Sequence, residues 1–279
     1  MKFTKATKKK VKMKLQIGGA SGAGKTYGAI LLAKGLASSM DKIGVIDSEN
    51  ESASIYEHLG DYNTLNISNF DPKNYIKAID AAIEAGLEVV IIDSVTHCWE
   101  WCQNYHSKMS GNSFQNWGTV LKMYDAFKNK MLQAPIHVIT CVRKKEEMAL
   151  ETVDGKSQVV KKGMKSIDRS EMSFEYTIVF DIDAAHNFTV TKDRTELFVD
   201  ADPTMISENT GKQILDWCNS GKTSDTELIL REAMEEVRSA ENTDALGVIF
   251  KKYPSLSTNE DFIASLKDKK ETLTETLQK

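Results

Sequence analysis

Gly19-Ala-Ser21-Gly22-Ala23-Gly24-Lys25-Thr26 is a glycine-rich stretch that ends in a lysine and a hydroxyl. Its spacing fits G-x-x-x-x-G-K-[ST], a loop that cradles phosphates. Glycines let the backbone bend so that its N–H groups converge on phosphate oxygens, and a helix opening at the end of the loop adds a favourable dipole. Gly19, Ser21, Gly22, Ala23 and Gly24 would form that cradle, with Tyr27 just beyond it. Lys25 would reach the β- and γ-phosphates of a nucleotide such as ATP, and the Thr26 hydroxyl would ligate Mg²⁺. The partner acid should end another buried strand. Val89-Val-Ile-Ile-Asp93 does so, and Asp93 would hold Mg²⁺ through water. Ser94 follows it rather than a glutamate, so a base for water activation must come from elsewhere. Gly44-Val-Ile-Asp47-Ser-Glu49 ends in two acids, and a carboxylate there could polarise an attacking water. Spacing alone reads this pair equally well as solvated loop acids.

These groups need strands that end at one place. Lys14–Gly18, Lys42–Asp47, Leu87–Asp93 and Ile136–Val142 read as strands, the last two apolar enough to be buried on both faces. Lys25–Ser38, Asn74–Ala85 (closed by Gly86) and Trp117–Leu132 read as helices between them. That alternation predicts an α/β fold with a mainly parallel central sheet flanked by helices. Met148–Val153, Asp154-Gly155 and Lys156–Val160 read as an antiparallel β-hairpin, since Asp-Gly is a favoured two-residue turn. Tyr176–Asp183 and Phe188–Lys192 are two more strands, and Gly211–Cys218 a short helix. Asn104–Asn116 reads as a loop. Three segments follow: a basic arm over 1–14, an ATPase core over 15–222, and a helical appendage over 223–279 with two or three helices.

At this point the residues resemble the RecA-like P-loop ATPase family. Glu49 is followed seven residues on by Tyr56 and then by Leu59-Gly60, and Val90-Ile-Ile-Asp93-Ser94-Val95 resembles the family's Mg²⁺ strand. The resemblance implies Glu49 as catalytic base and Tyr56 stacked on adenine. Thr140 and Cys141 stand where the family has Asn-Gln, the Gln sensing the γ-phosphate. Lys192-Asp-Arg194 resembles a Lys-x-Arg element whose cations reach the γ-phosphate of a neighbouring subunit, which implies a ring or filament of identical chains. Taken whole, the chain is most similar to phage-encoded single-strand annealing recombinase ATPases, AAA-type ATP-binding phage proteins. That implies DNA recombination in the cytoplasm of a bacterial host. An ATP-driven translocase or helicase loader, and a non-enzymatic nucleotide-binding adaptor, are the alternatives.

Arg143–Arg169 carries eight cations against five acids, and Arg143, Lys144, Lys145, Lys161, Lys162 and Lys165 could track the phosphate backbone of single-stranded DNA. The whole chain of 279 residues has a net charge of −4, yet residues 1–14 hold seven lysines and no acid. The arm fits DNA binding and a solubilising tail equally. Local charge sets such contacts, so the total excludes only a uniformly basic DNA-coating protein. Four cysteines without a dense framework fit a reducing compartment, and no apolar run is long enough to span a membrane. The helical appendage could recruit a single-strand binding protein. His97, Cys98, Cys102 and His106 have helical spacing, but beside Trp99 and Trp101 they read as packing rather than as a metal site.

Overall fold

The computed structural model describes residues 5–153, 156–221 and 225–276, with side chains described outside 149–162, 225–228 and 275–276. The chain divides into two compact units, one spanning Lys12–Cys218 and the other Asn219 onward with the segment up to Val11. In the larger unit the elements run β1 (Lys14–Gly19), α1 (Lys25–Leu36), β2 (Ile43–Asp47), β3 (Asn63–Asn66), α2 (Pro72–Glu84), β4 (Val89–Asp93), α3 (Val95–Ser107) and α4 (Ser113–Gln133). They continue with β5 (His137–Val153), β6 (Lys156–Ser166), β7 (Ile178–Ile182), β8 (Asn187–Asp193), β9 (Thr204–Met205) and α5 (Glu208–Asn219). Strand order is β3-β2-β4-β5-β1-β7-β8-β9, with β6 paired to β5 alone. The pairs from β3 to β7 are parallel, while β7–β8, β8–β9 and β5–β6 are antiparallel. The α/β architecture expected from the sequence, including its antiparallel extensions, is present.

Strand period explains the two cores. In β4, Val89 and Ile91 join one cluster with Ile30 and Leu32 of α1 and Ile214 of α5. Val90 and Ile92 join the other, with Tyr75 and Ile79 of α2 and Tyr124 and Phe127 of α4. Successive side chains of a strand point to opposite faces, so a strand covered on both sides must be apolar throughout. Each fully buried side chain of this size contributes about 1.5–3 kcal/mol. Helices α1 and α5 cross where a Cβ on Gly35 would lie 2.1 Å from the Glu208 carbonyl oxygen, so only glycine permits this approach.

The helices start where their caps dictate. Asp71 accepts the Lys73 N–H at 2.9 Å ahead of Pro72 in α2. Asn112 accepts the Phe114 and Gln115 N–H groups and so opens α4 at Ser113. This corrects the expected loop over 104–116: Tyr105 and His106 end α3, Phe114 begins α4, and only residues 108–112 connect them. The β5–β6 pairing runs from Lys144↔Ser166 to Val153↔Lys156, which makes the expected hairpin a long two-stranded ribbon. Its turn, Asp154-Gly155, lies outside the described residues.

The smaller unit holds α6 (Asp225–Ser239), α7 (Thr243–Lys252) and α8 (Glu260–Thr276), packed around Val237, Leu246, Ile249, Leu256 and Phe262. There the Lys8 ammonium donates to the Ser220 hydroxyl at 2.6 Å. Among the described residues no helix is long and apolar enough to cross a membrane.

Lys14, the last lysine of the basic arm, is buried as the first residue of β1. Its ammonium donates to the Ala134 and Ile136 carbonyls at 2.8 and 2.6 Å and so satisfies the end of α4. Beside it, His137 Nδ1 accepts the Met13 N–H at 3.0 Å, which requires a neutral ring. Burial, then the charges of Lys12 and Lys14, push the His137 pKa down to about 3. The unfolded chain therefore binds a proton between the ordinary histidine value and about 3 that the folded protein refuses, and stability is lost as pH falls through that window. His137→Gln keeps an acceptor but no titration. On going from about pH 7 to about pH 5, the wild type should lose up to about 2 kcal/mol more stability than the variant. Urea midpoints of both proteins at the two pH values measure this.

Candidate functional site

The loop between β1 and α1 places Gly22 and Gly24 at φ 80° and 94°, in the left-handed region where glycine carries no penalty. These turns let the loop wrap the start of α1, where Lys25 is buried and donates to the Ala20 carbonyl at 2.8 Å across the loop. The Thr26 hydroxyl donates to Asp93 Oδ2 at 2.5 Å. Asp93 Oδ1 is buried and has no hydrogen-bond partner among the described residues. Burial pushes the Asp93 carboxyl up to about 6, opposed by the Thr26 bond and the Lys25 charge and reinforced by the Glu49 and Asp47 charges. A hydroxyl beside an acid with a free buried oxygen is the donor set a hard, oxygen-seeking cation such as Mg²⁺ requires, so the residues present fit the ion.

The two acids after β2 are separated by the structure. Asp47 is buried, and its oxygens accept the Glu49 N–H at 2.6 Å and the Ala53 N–H at 2.8 Å, so it shapes the loop. Glu49 instead faces the phosphate loop, and both its oxygens accept from Arg143 on β5: Nε to Oε1 at 2.9 Å and Nη2 to Oε2 at 2.8 Å. Burial pushes the Glu49 carboxyl up, and the Arg143 guanidinium more than reverses this, leaving it below the ordinary carboxylate value. His97 lies close by, its Nδ1 2.8 Å from Ser48 Oγ. Burial and the Arg143 charge lower its pKa, which favours the neutral ring.

A cavity of about 580 Å³ joins these groups, lined by Ser21–Gly28, Leu31, Glu49, Tyr56, Asp93, His186 and Ile206 among others. Tyr56 and Tyr27, both on its lining, meet edge to face with ring centroids 5.7 Å apart. Crossed at 70°, each presents its own aromatic face, a surface of the kind on which a nucleobase stacks. His186, in the turn between β7 and β8, donates from Nδ1 to the Ala23 carbonyl at 2.9 Å and so braces the loop from outside. Neither His186 nor the Arg143 pairing is legible in the sequence, because each reaches the site from a distant strand.

Other expected site residues lie elsewhere. Lys192 and Arg194 do not line this cavity; both donate to the Phe174 carbonyl, Arg194 at 3.1 Å. Thr140 and Cys141 are buried within β5, and Cys141 pairs in register with Asp93. Of the six cations assigned to nucleic acid, Arg143 is taken by Glu49 and Lys144 by Asp181 at 2.6 Å. Lys165 pairs with Glu147 at 2.6 Å on the exposed ribbon, and Lys145 is exposed. The side chains of Lys161 and Lys162 lie outside the described residues. Cys98 and Cys102 are buried in the α3 packing, and His106 stacks on Trp117 at 4.1 Å.

Gly24→Ala tests the loop. Its Cβ would sit at φ 94° and 3.2 Å from His186 Nδ1, so both conformation and space oppose it. The variant should lose about 1–2 kcal/mol of stability and bind ATP more weakly. Denaturant midpoints with and without ATP read both effects.

A sequence model of the family described as AAA domain matches residues 11–205. No curated protein matches the chain. Among solved structures, a KaiC-like protein from the hyperthermophilic archaeon Pyrococcus horikoshii is similar at 14% identity, over 71% of this chain and 87% of that one, with a TM-score of 0.39. The family match takes in the phosphate loop, Glu49, Asp93, both ribbon strands and β8, which is more than half of the sequence, and the chain belongs to the AAA domain family.

Proposed function

We propose that this P-loop ATPase hydrolyses ATP with Mg²⁺ and uses it on single-stranded DNA, in phage recombination by strand binding and annealing within the bacterial cytoplasm. The observation that carries the reading is the path of β5. One strand pairs with the Asp93 strand at Cys141, carries Arg143 against Glu49, and continues outward as the ribbon. The nucleotide site and an exposed, cation-bearing projection are therefore one piece of chain. Met148, Met164 and Phe174 are exposed on or beside the ribbon and offer apolar faces to bases, next to Lys145 and Lys165.

In this reading the loop N–H groups and Lys25 hold the β- and γ-phosphates, and Tyr56 stacks on adenine with Tyr27 beside it. Thr26 and Asp93 would hold Mg²⁺, which supplies charge neutralisation across the phosphates. Glu49, released from Arg143, accepts the proton of the attacking water as the oxygen bonds to the γ-phosphorus and the bond to the leaving ADP oxygen breaks. Lys192 and Arg194 act across an interface between identical chains in a ring or filament, where a supplied cation stabilises developing charge. Their shared attachment to one carbonyl holds them together at the end of β8. Helices α6–α8 recruit a single-strand binding protein.

Glu49→Gln should bind ATP normally and lose about 10²-fold or more in turnover, measured by phosphate release and by nucleotide binding. Single-stranded DNA should bind at low salt and change the rate of the wild type. A protein that neither binds the strand nor responds to it would falsify the DNA reading. Lys145→Glu together with Lys165→Glu should weaken that binding and reduce its salt slope by about one for each lysine replaced, read by titrations at several salt concentrations.

A further inference from the structure

Arg143 stands where the sheet becomes the ribbon. Pairing of β5 with β1 ends at Gly19↔Arg143, and pairing with β6 begins at Lys144↔Ser166. Its backbone is tied on both sides. The Arg143 N–H donates to the Thr96 hydroxyl at 2.9 Å, and its carbonyl accepts the Ile167 N–H at 2.8 Å. The guanidinium spans the remaining gap and occupies both oxygens of Glu49. Two parallel charge-assisted bonds of this kind are strong and geometrically specific. They also engage a lone pair on each Glu49 oxygen and make the carboxylate less basic toward a water proton. Yet the pair is only part-buried, with side-chain exposures of 36% and 22%, so solvent and competing anions reach it.

We propose that Arg143 is a positioning residue that holds Glu49 in a non-hydrolysing state, and that a phosphodiester strand on the ribbon releases it by taking the guanidinium. Phosphate presents the same pair of oxygens to the arginine fork as a carboxylate does, so it competes on equal geometry. The link from ribbon to base is one side chain long. By sequence Arg143 belongs with the nucleic-acid contacts and Glu49 with the nucleotide; the structure joins them. This inference rests on Glu49 being the base.

The test compares steady-state ATP hydrolysis of the wild type, Arg143→Ala, Arg143→Lys, Glu49→Gln and the Glu49→Gln/Arg143→Ala double variant, each with and without an oligothymidylate. Arg143→Ala should raise the basal kcat by about 5-fold or more at unchanged KM for ATP, and the oligonucleotide should add nothing further. Arg143→Lys, whose ammonium lacks the planar fork, should fall between it and the wild type. It also keeps the test alive if the alanine variant does not fold. The double variant should stay at the rate of Glu49→Gln, since the gain is routed through Glu49. An Arg143→Ala kcat at or below the wild-type value overturns the restraint, as does a double variant faster than Glu49→Gln. A raised kcat together with a wild type indifferent to the oligonucleotide overturns release by a phosphodiester. Wild-type turnover in Glu49→Gln sinks the assignment of the base itself, a result none of the Arg143 outcomes can mimic.

Discussion

Parallel pairing makes β1, β2, β4 and β5 run the same way, so their C-terminal ends gather along one edge of the sheet. Asp47 lies in register with Asp93, Asp93 with Cys141, and Gly19 with Arg143. A phosphate loop, two buried acids and a cation are thereby brought to one line by strand direction alone. Parallel sheets must be covered on both faces, and the two apolar clusters on either side of β4 supply that cover. The crossing of α1 and α5 at Gly35 and Gly211 fixes the helix that carries Lys25 and Thr26. Crevices beyond the carboxyl ends of such strands are where open α/β sheets bind ligands.

The same edge crowds negative charge, and each acid is compensated differently. Asp47 has backbone N–H groups, Asp93 has the Thr26 hydroxyl and one free oxygen, and Glu49 has Arg143. Burial without a full partner raises the Asp93 carboxyl, while a guanidinium lowers that of Glu49. Three carboxylates at one edge of the sheet thus have three distinct environments: one bound into a loop, one with an oxygen to offer a cation, and one held by a guanidinium. The departure at Thr140-Cys141 follows from the same geometry. Those side chains are enclosed in the sheet, and it is Arg143, two residues beyond Cys141, that reaches Glu49 with its side chain.

Most of the core is legible as sequence. Mainly apolar stretches mark β2, β4 and the sheet portion of β5, because strands buried on both faces have no polar period to show. The phosphate loop is legible because glycine is required where φ is positive, as at Gly22 and Gly24. Residues 104–116 are not, because their polar composition masks two helix ends set by the Asn112 cap. The edge strands β3 and β9 are too short and exposed to show a pattern at all.

The sequence by itself therefore determined the alternation of elements, the loop that meets phosphate, and the identities of Lys25, Thr26 and Asp93 as its companions, because local spacing dictates each. Which acid at the end of β2 faces the phosphate loop, and which cations of the ribbon are already paired, only the tertiary structure decided. Arg143 and Glu49 are 94 residues apart, and Lys144 and Asp181 are paired across strands. Charge in a sequence says what a segment could attract. Only the register of strands says which opposite charge reaches it first.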